Sequence, residues 1–301
     1  MQKQGSTSIR FAFTLIELLL VLGMLGVLSG LTLGAVQKAR QAVLRVTCQN
    51  RLKQVGLGMH AYHTSHQRFP AGFLGESGRL GIPYTSWRAN LLPFVGEQTL
   101  HNQILAKPME VPRGMADYFA LTTIIVPYLC PADPKSGVVG PNRVHGIETA
   151  FANHMGVSGT NQKTEDGLLF LDSQVRSSDI GDGSSQTLMV GERPPSVDGG
   201  FGNWFTTMAF FSGAHDAVSG VMEFNPGTGI GLGSICPKNV PYPYQEPKSP
   251  LEPCNYLFYW SYHPSGANWL FADGSVRFIP YSASPMMAGL STRNGGELPN
   301  E

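Results

Sequence analysis

Charge is scarce in this sequence. Asp, Glu, Lys and Arg make up 14% of the 301 residues, against roughly 25% in an ordinary soluble domain. The 21 basic and 21 acidic residues cancel, so no basic excess draws the chain toward nucleic acid, and no nucleic-acid partner is expected. Four cysteines, Cys48, Cys130, Cys236 and Cys254, show no C-x-x-C spacing. A zinc-ribbon or thioredoxin-like motif is therefore unsupported. No G-x-S-x-G nucleophile elbow is present, and Gly156-Val-Ser-Gly159 does not supply one. No segment has the fixed ligand order of an EF-hand loop, and no internal repeat of fixed period is found.

Glycine (36) and proline (22) are instead plentiful, about a fifth of the chain together, beside 16 Phe and 10 Tyr. That falls short of a disordered composition and reads as a turn-rich β protein with a core. One stretch has the opposite character. Phe13 to Val36 is apolar apart from Glu17, and from Leu18 to Gln37 no residue is ionisable. With a rise of ~1.5 Å per residue, ~20 such residues cover the ~30 Å hydrocarbon core of a bilayer, which predicts a transmembrane helix. A carboxylate at the fifth residue of this run is costly without a partner, which marks Glu17 as functional.

The helix is predicted to continue. Apolar residues recur at three- and four-residue spacing at Val36, Ala39, Val43 and Val46. After a phase change they resume at Cys48, Leu52, Val55, Met59 and Tyr62, with Lys38, Arg40, Arg45, Arg51 and Lys53 on the other face. Phe69-Pro70 should end the helix near His66, since the residue before proline avoids the α region. The result is a helix of roughly 80 Å whose second half needs a globular domain to cover its stripe. Two basic residues precede the apolar run and five follow within 17 residues. Taken alone, that count places the C-terminal part in the cytoplasm.

Phe13-Thr-Leu-Ile-Glu17, behind a short leader with Lys3 and Arg10 and no acid, resembles the N-terminus of type IV prepilins and type II secretion pseudopilins. The residue before Phe13 is Ala12, where that pattern usually has Gly. The resemblance implies cleavage between Ala12 and Phe13 by a prepilin peptidase and methylation of Phe13. It makes Glu17 the assembly residue and places the globular part outside the cytoplasm, on a single-pass inner-membrane anchor, against the charge count. The implied organisation is a leader (1–12), the transmembrane half of the helix (13–36), its amphipathic continuation (37–66) and a globular β-rich domain (67–301).

Within that domain, short helices are expected from Trp87 and over Glu97 to Ile104. Strands are expected over 119–129, 152–159, 167–171 and 187–192, and mostly irregular chain over 212–253. Two strand-like runs flank Asp273-Gly274, the strongest short-range hairpin signal, read as a two-residue type I′ turn. His263 lies nine residues ahead of Asp273. This H-X9-DG spacing, at 263–274, resembles the C-terminal signature of a large family of prepilin-like proteins numerous in planctomycetes. Cys48-Gln-Asn-Arg, Leu129-Cys-Pro-Ala-Asp-Pro134 and Asp182-Gly-Ser-Ser to Glu192 look like other blocks of that family. The resemblance implies architecture and location, not a reaction.

Several side chains are candidates for chemistry. A His263–Asp273 pair can orient a base, although the plainer reading is structural and no catalytic residue is assigned. Two of His60, His63 and His66 could bind one metal from one helix face, although the plainer reading is a solvated or core-edge helix end. Asp179, Asp182 and Glu192 could supply oxygens to Ca²⁺, and no other cofactor is expected. The four Trp could line a sugar-binding face or fill the core. Cys236 and Cys254 bracket a Pro-rich segment and are expected to close it as a disulfide contributing ~3 kcal/mol. The predicted fold is α+β and pilin-like, a long N-terminal helix on an antiparallel β domain with long Gly/Pro-rich loops. The predicted function is that of a membrane-anchored pilin or pseudopilin-like assembly protein, with other pilin-like subunits as partners and no enzymatic activity of its own. The alternative is an envelope enzyme, or a domain binding carbohydrate or Ca²⁺, on the same anchor.

Overall fold

The computed structural model describes residues 14–75, 85–109, 118–142, 146–205, 216–225 and 235–296. Ala12, Phe13 and the leader lie outside these residues, as does most of the 75–83 loop. The chain divides into two compact units, Met1–Val43 and Leu44–Glu301.

A single helix, α1 (Leu15–His66), accounts for almost all of the first unit's described residues and enters the second. It starts on a capping box. Thr14 N and Oγ1 both donate to Glu17 Oε2 at 2.9 Å, and Glu17 N donates to Thr14 Oγ1 at 3.3 Å. Its apolar residues from Leu15 to Val36 are exposed, among them Leu31 at 71%. The helix is long and apolar enough to cross a membrane, which makes it a candidate anchor. From Cys48 onward one face is buried through Leu52, Val55, Met59 and Tyr62. Val36, Val43 and Val46 remain exposed, so the covered stripe begins only after the phase change in the sequence pattern.

The second unit is built on a five-stranded sheet. Its strands are β3 (His154–Gly159), β4 (Leu188–Glu192), β5 (Val218–Gly220), β8 (Gly266–Phe271) and β9 (Val276–Pro280), in the order β5-β3-β4-β8-β9. All neighbours are antiparallel except β3 and β5. Two small two-stranded sheets stand apart, β1 (Val139–Asn142) with β2 (Ile147–Ala150) and β6 (Met222–Phe224) with β7 (Pro241–Pro243). The fold is α+β, with the C-terminal half of the long helix packed on an antiparallel-rich sheet.

β3, β4 and β8 are buried at every residue because both faces of the sheet are covered. One face meets the Leu52, Val55, Met59 and Tyr62 stripe through Val190, Val218 and Leu270. The other carries Met155, Leu188, Trp269 and Phe271 against Tyr244, Tyr259 and helix α5 (Met287–Ser291), the last of the short helices. Trp87, Trp204, Trp260 and Trp269 are all core residues, not a sugar-binding face.

The short helices α2 (Trp87–Leu91) and α3 (Gln98–Ala106) fall where the sequence places them. The segment 119–129 does not form the expected strand. It is a short helix, α4 (Phe119–Thr122), followed by a 3-10 turn at Val126–Tyr128. Pro127 is the second residue of that turn, and the Tyr128 hydroxyl donates to the Arg88 carbonyl at 2.7 Å. Propensity lost here to tertiary context, because proline breaks the run and Tyr128 is held by Arg88 and by the Trp87 ring. The segment 167–171 is likewise not a regular strand. Only isolated bonds link it to β3, such as Leu169 N to Val157 O. Within 212–253, the described residues carry three short strands, β5, β6 and β7.

Candidate functional site

β8 and β9 form the predicted hairpin, but the turn differs from expectation. Gly274 N donates to Phe271 O and Phe271 N donates to Ser275 O, both at 2.9 Å. The loop is thus three residues, Ala272 to Gly274. Only Gly274 has positive φ, at +79°, whereas a type I′ turn needs it at Asp273 too. This is a type I turn closed by a left-handed glycine. Asp273 Oδ1 accepts from Ser275 N at 2.8 Å. Burial opposes ionisation of Asp273, yet the Ser275 bonds and Arg277 together hold its carboxyl below the ordinary value.

His263 and Asp273 do not meet. Between them runs β8, and six extended residues span roughly 20 Å. Asp273 approaches Arg277 at 3.9 Å. His263 is buried, with Nε2 at 3.4 Å from Glu192 Oε1 and 3.5 Å from Cys130 Sγ. Cys130 is in turn joined to Cys48 on α1, with Cα atoms 4.9 Å apart.

Both ends of the motif therefore bear on the long helix. At the far end, Lys53 Nζ donates to the Gly274 carbonyl at 2.5 Å. A side chain at 274 would meet the His60 ring at 3.2 Å. Between the ends, Gly56 leaves room for Leu270, whose Cδ1 would stand 2.7 Å from any Cβ there. Other basic residues on the predicted polar face also engage the domain. Arg45 stacks on Phe278 of β9 at 4.1 Å, and Arg51 donates to the Leu129 carbonyl at 3.2 Å.

The block 182–192 completes the fastening. Ala272 N donates to Thr187 O and Asp273 N to Ser184 O. Glu192 accepts from Asn268 N at 2.7 Å and from Asn268 Nδ2 at 3.0 Å, tying β4 to β8. His154, the cross-strand partner of Glu192, is fully buried, and among the described residues its ring nitrogens have no well-formed hydrogen bond. Burial lowers its pKa to about 4, so at neutral pH it is uncharged despite the nearby Glu192.

The other candidates go to local structure. Asp179 accepts from Arg176 N at 2.8 Å in a 3-10 turn. Asp182 accepts from Gly295 N at 2.7 Å and Gly296 N at 2.9 Å. With Glu192 engaged by Asn268 and His263, the three candidate Ca²⁺ carboxylates each have separate partners. His63 Nε2 accepts from Ser177 N at 3.2 Å, His66 Nδ1 donates to the Tyr62 carbonyl at 3.0 Å, and His60 lies on the Gly274 turn. Cys236 and Cys254 are joined, with Cα atoms 5.6 Å apart.

The Cys48–Cys130 bond and the Glu192–His263 contact were not foreseen. All four residues stand in blocks singled out in the sequence, but nothing in their spacing showed that the blocks meet. The class defined by this geometry is an α+β protein whose long N-terminal helix, a candidate membrane anchor, is fastened at its C-terminal half to a sheet by a disulfide and a hairpin motif. The chain belongs to the family described as "Protein of unknown function (DUF1559)", which matches residues 37–285. No curated protein and no solved structure matches the chain.

Proposed function

We propose that the protein is a pilin or pseudopilin-like assembly subunit of the cell envelope, held in the inner membrane by the first half of α1 with its globular domain outside the cytoplasm. The observation that carries this reading is α1 itself: one uninterrupted helix, exposed and apolar in its first half and docked in its second. Such a helix suits a subunit that enters a bilayer and later packs against copies of itself. The two disulfides support the location, since such bonds persist in oxidising compartments. They weigh against the positive-inside count.

In this reading a prepilin peptidase cuts between Ala12 and Phe13, leaving a cationic amine four residues from Glu17. Glu17 exchanges its Thr14 contacts for the amine of a neighbouring subunit, and that pair sets the register of assembly. The H-X9-DG motif is a structural fastener, and the protein is a peptidase substrate with no reaction of its own. N-terminal sequencing of protein recovered from the envelope tests the processing. A start at Phe13 is expected, and an intact Met1 or a cut beyond residue 36 overturns the reading. Glu17→Ala is expected to insert normally but to be depleted from any assembly; normal incorporation would remove Glu17 from that role.

A further inference from the structure

Four atoms of metal-ligand type meet where the motif touches α1. The sulfurs of Cys48 and Cys130, an oxygen of Glu192 and a nitrogen of His263 all lie within 4.8 Å of one another, and all four residues are buried. They come from the long helix, the turn after Leu129, β4 and the loop before β8, so only the folded chain assembles them.

The His263–Glu192 distance fits coordination better than hydrogen bonding, and the His263–Cys130 distance is compatible with it. With Zn–S near 2.3 Å and Zn–N and Zn–O near 2.0–2.1 Å, a tetrahedral site has S···N edges of about 3.6 Å and N···O edges of about 3.3 Å. Here Cys130 Sγ to His263 Nε2 is 3.5 Å and His263 Nε2 to Glu192 Oε1 is 3.4 Å. The second distance is long for an N–H···O bond, which prefers about 2.7–3.2 Å. Glu192 is also braced from behind by Asn268 N and Nδ2, the outer support that orients metal-bound carboxylates. Two sulfurs and an imidazole select a zinc-like ion over Ca²⁺.

We propose that, when Cys48–Cys130 is reduced, these four side chains bind one Zn²⁺ in a closed Cys₂-His-Glu tetrahedron. The same residues then fasten α1 to the sheet by a covalent bond in one redox state and by a metal in the other. The exchange is a two-electron step. A dithiol reductant is oxidised to its own disulfide, and its two protons pass to Cys48 and Cys130. Zn²⁺ then displaces those protons as the two thiolates coordinate, with His263 binding as neutral imidazole. The sulfurs part to about 3.8 Å, the S···S edge of the same tetrahedron. The reduced form is the one a new chain has before it reaches an oxidising compartment.

The test uses the full chain in detergent, reduced with dithiothreitol, desalted without air and given Zn²⁺ alone. Bound metal is counted by elemental analysis, and Co²⁺ serves as a spectroscopic substitute. One zinc per reduced chain and none on the oxidised chain are expected, with thiolate-to-cobalt charge-transfer absorption. His263→Gln and Cys130→Ser should each weaken binding at least about tenfold. The double variant Cys236→Ser/Cys254→Ser should bind as well as the native chain. His263→Gln keeps the disulfide when oxidised, so its fold can be checked before reduction. Three results overturn the proposal: no zinc beyond that on the oxidised chain, binding indifferent to His263→Gln and Cys130→Ser, or a reduced chain that unfolds and stays unfolded with zinc.

Discussion

At Gly274 two costs coincide. The backbone takes φ +79°, and a Cβ would press on the His60 ring at 3.2 Å. Gly96 has φ +91° with nothing within 4 Å of a Cβ, so it isolates the first cost. Gly96→Ala should destabilise the protein by about 1 kcal/mol through backbone strain alone. Gly274→Val should lose more, on the order of 2–4 kcal/mol, because a β-branched side chain also forces α1 away from the turn. Denaturant unfolding of both variants checks this, and equal losses would mean that the turn does not bear on the helix. At this scale the sequence was legible in part. Asp273-Gly274 announced a turn, but its type depended on the loop closing one residue wider. The ten-residue reach from His263 to Asp273 invited a pair, yet extended chain keeps its ends apart.

The long helix was the most readable element, because a run without ionisable residues and a proline beyond its end mark both halves. What remained hidden was the use of its basic residues. The apolar periodicity puts Arg45, Arg51 and Lys53 on the face away from the stripe, but each contacts the domain, and such partners lie far away in sequence. The strand expected over 119–129 failed for a related reason: Tyr128 is held by Arg88 and Trp87, partners some forty residues away in sequence. His60 gives the helix contact a pH dependence. Burial holds its pKa below the ordinary value, with His63 and Lys53 adding to the effect and Asp273 opposing it. For a base so lowered, stability is full above the unfolded pKa of about 6.5 and is lost as pH falls through it toward the folded value. The melting temperature of the full chain in detergent should therefore drop between about pH 7.5 and 5.5. His60→Gln should flatten part of that slope, and an unchanged slope would assign the dependence to other groups such as His101, which burial also lowers.

Across the whole molecule the two disulfides close loops of very different length. Cys48–Cys130 spans 82 positions and Cys236–Cys254 spans 18. In the chain-entropy account the first contributes about 4–5 kcal/mol and the second about 3 kcal/mol. Cys48→Ala/Cys130→Ala should accordingly lower the midpoint of unfolding more than Cys236→Ala/Cys254→Ala, and the reverse order would show that strain, not loop length, governs these bonds. The longer bond has a mechanical consequence as well. A pull on the N-terminal half of α1 meets its first covalent crosslink at Cys48, just past the Arg45 contact with Phe278. From there the shortest covalent route to the sheet runs across the sulfurs to Cys130 and on toward β3. Residues 49–129 lie off that covalent route and share the load through the packing of Leu52, Val55 and Met59 and the Lys53 bond to Gly274. A load on the first half of α1 would thus reach the sheet through a covalent bond as well as through the packing of the helix end.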